Sequence, residues 1–196
     1  MPWDNLPTIE SERVRLRWMT EADIDVLYRI FSDPEVTRYW STVAMTHRDE
    51  AVALLNDIHE GFHQRRLMKW GVANLDTNEL MGTVTLISID LTHRRAEIGY
   101  ALGRAHWGRG YIHEALQAVM KYAFNELNLH RIEADVDPRN TASIKTLERL
   151  GFQREGFLRE RWQVGGELQD ALIYGLLRPD WEEGIANCEL RISDFH

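Results

Sequence analysis

The segment Ala96 to Leu127 constrains this chain more than any other, because a strand-like stretch runs through a glycine turn into a long amphipathic helix. Gly108 and Gly110 lie just before that helix. Backbone N–H groups at a helix N-terminus lack intrahelical partners, and the helix dipole places partial positive charge there. The turn can therefore hold an anion such as a phosphate without a basic side chain. A tight turn or a simple cap is the alternative that this segment alone leaves open.

Hydrophobic periodicity supports both elements. Apolar residues recur at three- and four-residue spacing on one face of the helix, namely Ile112, Ala115, Leu116, Val119, Met120, Ala123, Phe124 and Leu127. Upstream, Glu97 to Leu102 lacks strict alternation, as expected of a strand covered on both faces, and Gly103 ends it.

A second strand and a shorter helix follow. Alternating apolar residues in His130 to Val136 predict one buried strand face, and Asp137-Pro138 ends that strand. Asn140 is a preferred N-cap for the next helix, and Gly151 suits its C-terminal end. The strand-turn-helix layout therefore occurs twice in succession.

Three motifs in this order carry a resemblance to a known family. They are WGRGY before the long helix, P-x-N-x-A-S at Pro138 to Ser143, and L-x-x-L-G-F-x-x-E-G-x-L-R at Leu147 to Arg159. On these motifs the chain resembles the GNAT superfamily of acyl-CoA N-acyltransferases, and within it most closely the Rim-type ribosomal-protein N-terminal acetyltransferases. The resemblance extends from Thr8 to Trp181.

The remaining patterns complete the predicted fold. A strand is expected over Val14 to Met19, a helix over Glu21 to Phe31, and another helix over Thr46 to Arg66 with Thr46 as its N-cap. Turn residues at Asp76-Thr77-Asn78 and at Gly165-Gly166 predict two hairpins. The order βααβββαβαββ is an α/β plan, and the GNAT resemblance implies a mixed, mostly antiparallel sheet flanked by helices. We expect one GNAT domain over residues 1–181 and a C-terminal tail over residues 182–196.

The resemblance also implies acetyl-CoA as the co-substrate. Backbone amides of the glycine turn would hold the pyrophosphate of coenzyme A, and these belong to Trp107, Gly108, Arg109, Gly110 and Tyr111. The strand edge at Tyr100, Ala101 and Leu102 would pair with the pantetheine arm like an added strand, and Asn140 and Ser143 would line the same cleft. The family's usual Gln or Arg at the start of the glycine signature is Ala105 here, which removes one side-chain contact and leaves the backbone cradle intact.

Acetyl transfer from a thioester to an amine requires a proton acceptor for the amine and a proton donor for the leaving thiolate. Glu97 is the candidate acceptor, and its alternative role is a solvated residue or a partner of Arg94 or Arg95. Many relatives carry a tyrosine donor where this chain has Leu147. The resemblance therefore favours Ser143 as the donor, and the alternative is a first-turn serine bonded to backbone.

A competing motif lies upstream, where His59-Glu60-Gly61-Phe62-His63 matches the zinc peptidase pattern H-E-x-x-H. On the predicted helix both histidines fall at the shoulder of the buried stripe, and Glu60 faces water. Gly61 would weaken the helix at the centre of such a site. We therefore expect no bound metal, with a zinc metallopeptidase as a remote alternative.

Composition agrees with one domain, and the net charge mildly favours a cationic acceptor. The 196 residues are 44% hydrophobic, and the net charge of -8 argues against broad nucleic-acid binding. No apolar run reaches membrane-spanning length and residues 1–13 lack a signal-peptide core, so we expect no membrane partner and a cytoplasmic location. The single cysteine, Cys188, excludes an internal disulfide.

The acceptor is the least constrained part of the prediction. Tyr39 and Trp40 lie where relatives often shape the acceptor pocket, although packing of a loop onto the core is the more common role of any one such aromatic. A protein N-terminal amine, as in ribosomal proteins, is the first expectation; a polyamine, an aminoglycoside or an amino-acid-like molecule stays open. A non-catalytic acyl-CoA sensor of the same fold is a remote alternative, and the resemblance leaves a homodimer open.

Overall fold

Eight strands form one sheet in the part of the chain that the computed structural model describes, residues 3–184. The strands are β1 Ile9–Glu10, β2 Val14–Arg17, β3 Leu67–Asn74, β4 Leu80–Asp90, β5 Arg95–Leu102, β6 Arg131–Val136, β7 Gln153–Val164 and β8 Glu167–Leu177. The helices are α1 Ile24–Phe31, α2 Pro34–Thr37, α3 Arg48–His63, α4 Tyr111–Asn125 and α5 Thr141–Arg149. Single 3₁₀ turns precede α1 and α4, at Glu21–Asp23 and Arg104–His106.

The predicted order βααβββαβαββ is confirmed, with the two-residue strand β1 and the four-residue helix α2 as additions. One cap differs from expectation, because α3 begins after His47 instead of Thr46. The Glu50 carboxylate accepts backbone N–H bonds from both Thr46 and His47 at 2.8 Å, so the chain turns one residue later.

The strands lie in the order β1-β2-β3-β4-β5-β6-β8-β7, and every neighbouring pair is antiparallel except β5 and β6. These two parallel strands pair only over Arg95–Glu97 on β5 and Arg131–Glu133 on β6. Beyond those three residues they separate, so β5 has an unpaired edge from Ile98 to Leu102. The separation creates a cleft within the sheet.

Two hydrophobic clusters cover opposite faces of the sheet. Around α4, buried residues such as Leu116, Val119 and Phe124 pack on strand residues of one parity, including Ile98 of β5. Around α1 and α3, buried residues pack on the opposite parity, including Ala101 of β5. Because successive strand side chains point to opposite faces, β5 is covered on both sides, as its sequence predicts.

An ion pair joins β2 to the beginning of α1. Both terminal nitrogens of Arg17 donate to Asp23 at 2.8 Å, and the Thr20 amide donates to the same carboxylate. Burial raises the pKa of Asp23, but Arg17 and the Thr20 amide outweigh burial and leave that pKa below its ordinary value. The pair therefore orients the helix layer relative to the sheet.

The last described residues, 178–184, are helical, and Trp181 packs on Phe124 of α4 with ring centroids 5.0 Å apart. The rest of the expected tail, including Cys188, lies outside the described residues. No helix within residues 3–184 has the length and apolarity that crossing a bilayer requires.

Candidate active site

The separation of β5 and β6 opens a cleft of about 240 Å³. Four predicted site residues line it together: Glu97, Tyr100, Asn140 and Ser143. They come from β5 and from the start of α5, which lie far apart in sequence. The side chains of Ala101 and Leu102 are buried in the core, so only their backbone can meet a ligand in the cleft.

Ser143 and Tyr100 form a close polar contact in this cleft. Their hydroxyl oxygens lie 2.7 Å apart, and the Ser143 amide donates to Asn140 Oδ1 at 3.1 Å. Burial raises the pKa of Tyr100 to about 12, and its hydrogen bond to Ser143 offsets that rise only partly. Tyr100 therefore stays protonated at neutral pH, and the two hydroxyls can pass a proton between them.

The Asn140 amide oxygen caps α5 as predicted, since it accepts from the Ser143 backbone. This cap fixes the first turn of α5 and thereby the direction of the Ser143 side chain. Leu147, which stands where many relatives have a tyrosine, is buried one turn further along and also lines the cleft. A phenol hydroxyl is nevertheless present, because Tyr100 supplies it from β5.

Glu97 is half-buried and lies at the last position where β5 pairs with β6, directly opposite Glu133. The alternative ion-pair partners of Glu97 are engaged elsewhere, because Arg95 bonds Glu133 at 3.1 Å and Arg94 bonds Asn128. Within residues 3–184, none of the ion pairs involves Glu97. Its carboxylate is thus available to a molecule in the cleft.

The opposite wall of the cleft carries two carboxylates that sequence reasoning missed, Asp135 on β6 and Asp170 on β8. Trp162 donates its indole N–H to Asp135 at 3.1 Å, and the Glu160 amide donates to Asp170 at 2.8 Å. One sign of Asp135 was available in the sequence: it alternates with the apolar residues of its strand and so falls on the face that does not belong to the core. Arg161 lies 3.5 Å from the Asp135 carboxylate and partly balances its charge, and Arg139 pairs with Asp137, which also lines the cleft. None of the ion pairs within residues 3–184 involves Asp170 or Glu97, so these two carboxylates keep this part of the cleft acidic.

The glycine turn lies beyond the end of β5 and leads into α4. Gly108 and Gly110 have φ values of +71° and +81°, which favour glycine strongly over residues with a Cβ. Gly110 is the N-cap of α4 and has no side chain to satisfy the first-turn amides. A Cβ at Gly108 would meet nothing within 4 Å, so the turn is open on one side, as an anion cradle requires.

Arg13 holds this turn from behind, and sequence reasoning did not find it. Its guanidinium donates to the Arg109 carbonyl at 2.9 Å and to Glu114 of α4 at 2.8 Å, and it lies 5.1 Å from the centre of the Tyr111 ring. A Cβ on Gly110 would lie 3.3 Å from Arg13 Nη2. The N-terminal strand region thus fixes the shape of a turn almost a hundred residues away.

Trp107 anchors the other end of the turn. Its indole N–H donates to the Leu102 carbonyl at 2.6 Å, while 45% of the side chain remains exposed. The bond ties the turn to the end of β5 and keeps the two parts of the predicted coenzyme site in a fixed relation.

The two histidines of the H-E-x-x-H motif do not point into a common pocket. His59 donates from Nε2 to the Met19 carbonyl at 2.9 Å and stacks on Trp18, with ring centroids 4.4 Å apart. His63 and Glu60 are exposed, and a Cβ on the buried Gly61 would lie 2.9 Å from Leu67 Cγ. Across residues 3–184, no group of three His, Cys, Asp or Glu side chains is arranged to hold a metal ion.

Comparison with known proteins identifies the family. A family model described as an acetyltransferase (GNAT) domain matches residues 13–153. The uncharacterized N-acetyltransferase p20 of Bacillus licheniformis is 40% identical over 176 residues, which are 90% of this chain and 99% of that protein. The ribosomal protein uS5-alanine N-acetyltransferase of Escherichia coli is 28% identical over 134 residues, or 68% of each chain.

A solved structure of an N-acetyltransferase is also similar to this chain. Spermidine N-acetyltransferase from Vibrio cholerae, in complex with CoA and spermine, superimposes with a TM-score of 0.75 at 26% identity, covering 86% of this chain and 97% of that one. The family model, the relatives and this superposition all point to the same family. The chain therefore belongs to the GNAT acetyltransferase family and is an N-acetyltransferase.

Proposed function

We propose that this enzyme transfers the acetyl group of acetyl-CoA to a primary amine, and that this amine is the N-terminus of a protein such as a ribosomal protein. The observation that carries the proposal is the cleft between β5 and β6, where Glu97, Tyr100 and Ser143 surround one unpaired strand edge. The uS5-alanine acetyltransferase relative supports the choice of acceptor. Such a reaction on ribosomal proteins belongs in the cytoplasm.

The coenzyme would enter along the unpaired edge of β5. Its pantetheine arm would pair with the backbone of Tyr100, Ala101 and Leu102 as an added strand does. Its pyrophosphate would lie on the amides from Trp107 to Tyr111, where the helix N-terminus favours negative charge. The arrangement needs no basic side chain at Ala105, because the donors are backbone N–H groups.

In the chemical step the acceptor nitrogen attacks the thioester carbonyl, a C–N bond forms and the C–S bond breaks. Glu97 would accept the amine proton, directly or through water. A backbone N–H near Tyr100 or Ala101 would stabilise the tetrahedral oxyanion. Ser143 would donate its hydroxyl proton to the departing thiolate while Tyr100 passes its own proton to Ser143 through the 2.7 Å contact and takes one up from solvent. Glu97 would release the amine proton to solvent, which closes the proton balance.

A polyamine is the second candidate acceptor, and the acidic wall of Asp135 and Asp170 is the observation that favours it. The spermidine N-acetyltransferase structure holds a polyamine together with coenzyme A. Both candidate acceptors present a cationic amine to an acidic cleft, so charge at the amine does not separate them.

An acetyl-CoA consumption assay over peptides and small amines tests the proposal, with mass spectrometry locating the added acetyl group. We expect acetylation of peptide N-terminal amines by the wild-type enzyme and a fall in kcat of about 100-fold for Glu97→Gln. The variant Glu10→Gln, at an exposed glutamate of β1, is the control.

Each of the other possible outcomes of this assay would favour a different function or mechanism. Turnover of spermidine with no peptide product would replace the protein acceptor by a polyamine. Binding of acetyl-CoA without turnover on any amine would indicate a sensor. Wild-type rates for Glu97→Gln across the pH profile would remove Glu97 from the mechanism.

A further inference from the structure

Lys69 lies in β3, a central strand of the sheet, and only 8% of its surface is exposed. Within residues 3–184 it is the one lysine that is almost completely buried. It pairs with Thr85 of β4, and Thr85 pairs in turn with Gly99 of β5. Residues directly opposite one another in antiparallel strands share a face. Lys69 therefore lies on the same face of the sheet as Gly99, which lines the cleft.

The Lys69 ammonium is surrounded by aromatic rings. Nζ lies 5.5 Å from the centre of the Phe31 ring and 5.9 Å from that of Trp40. Trp40 also lines the cleft, so Lys69 stands directly behind the cleft wall. Cation–π contacts of this kind offset only part of the cost of removing an ammonium from water.

No carboxylate compensates the charge. Among the ion pairs of residues 3–184, none involves Lys69. Burial alone lowers the pKa of Lys69 to about 8, with no opposing contribution from a nearby acid. An unpaired cation in a central strand is rare in proteins, because burial of a charge is costly without a counter-ion.

The cleft is thus polarised. Asp135 and Asp170 lie on β6 and β8 at one side, and Lys69 lies on β3 behind the other. A polyamine offers only positive charge and would be repelled at the Lys69 side. An acceptor with an amine and a neighbouring carboxylate matches both sides.

We propose that the acceptor carries a carboxylate close to its reactive amine and that the Lys69 ammonium is the counter-ion of this carboxylate. The inference rests on the proposed acetyl transfer to an amine and names the chemistry of its acceptor. The carboxylate has two sources: an acidic side chain at the start of a peptide, or the α-carboxylate of a free amino acid. Lys69 does not itself line the cleft, so the proposal requires a displacement of the Trp40 ring that brings the carboxylate to Nζ.

Matched acceptors test this proposal by changing only the charge. Peptides that begin with Asp or Glu are compared with peptides that begin with Asn or Gln, and free amino acids are compared with their amides. In the wild-type enzyme we expect kcat/KM to favour the anionic member of at least one pair by roughly 10- to 100-fold. The pair that shows the preference identifies the source of the carboxylate.

Variants then assign the preference to Lys69. Lys69→Met should abolish it, Lys69→Arg should retain part of it, and Lys121→Met, at an exposed lysine of α4, should leave it unchanged. Circular dichroism checks that each variant is folded. Equal rates for both members of every pair, or an unchanged preference in Lys69→Met, would overturn the proposal.

A binding measurement separates this proposal from the proposed function. Calorimetry of the same peptides and amino acids, with coenzyme A present so that no reaction occurs, should show the same anionic preference and its loss in Lys69→Met. Absence of turnover together with this binding preference would contradict the acetyl transfer alone. Turnover with no anionic preference in binding would contradict the role of Lys69 alone.

Discussion

At the residue scale, the contact between Ser143 and Tyr100 would give this enzyme a proton path built from two elements. The sequence predicts Ser143 from its place after Asn140, and it predicts Tyr100 only as a backbone contact for the coenzyme. The 2.7 Å bond between their hydroxyls adds a side-chain role for Tyr100. Under the proposed mechanism, the two hydroxyls would protonate the thiolate in an enzyme that has Leu147 in place of a tyrosine.

Ser143→Ala should lower kcat by about 100-fold and leave KM for acetyl-CoA nearly unchanged, because a general acid acts in the transition state. Tyr100→Phe should give a smaller loss, since solvent can also return a proton to Ser143. Steady-state kinetics measure both. Thr141→Ala, at the exposed first residue of the same helix, is the control. A kcat for Ser143→Ala equal to that of the control would exclude Ser143 as the donor.

At the element scale, the glycine turn depends on a support that no local pattern reveals. Asn140, Gly151 and the two hairpins are readable from sequence because caps and tight turns are decided by a few neighbouring residues. Arg13 is not readable in this way, because its contacts with Arg109 and Glu114 exist only after the sheet has formed. Asp135 and Asp170 escape detection for the same reason.

Arg13→Met should weaken coenzyme A binding by about tenfold, because the turn loses the donor that holds the Arg109 carbonyl. Calorimetric titration with coenzyme A measures this change, and KM for acetyl-CoA should rise while kcat stays constant. Arg15→Met removes a surface ion pair with Glu10 and is the matched control. A lower melting temperature without any change in coenzyme affinity would show that Arg13 stabilises the fold only.

At the scale of the whole molecule, patterning predicts the element order, since each amphipathic stripe has a single sheet face to cover, and the resemblance carried by the three motifs predicts one GNAT domain. It does not predict that the charge of Lys69 is buried, because lysine side chains almost always reach solvent. The free-energy cost of burying this charge depends on the packing of the entire fold.

Global stability should therefore depend on pH through Lys69. Its folded pKa is about 8 and its ordinary value is 10.5, so the unfolded chain binds more protons between these values. The free energy of unfolding should rise with pH in that window, by roughly 2–3 kcal/mol from pH 7 to pH 10. Below pH 8 the destabilisation is fully present.

Urea unfolding of the wild-type protein and of Lys69→Met measures this dependence, because other titrating groups contribute equally to both. The difference between their unfolding free energies should shrink as the pH rises. Parallel curves would mean that Lys69 keeps its ordinary pKa in the folded protein.

The early separation of β5 and β6 also bears on aggregation. Unpaired strand edges can pair with strands of other protein molecules, and proteins usually protect such edges with short strands, charged side chains or bulges. The outer edges of this sheet follow that rule: β1 has two residues, and β7 carries charged side chains and register shifts at Arg154/Gly156 and Leu158/Trp162. The edge of β5 needs no such protection, because it lies inside the sheet, where a slender ligand fits and a second folded protein does not.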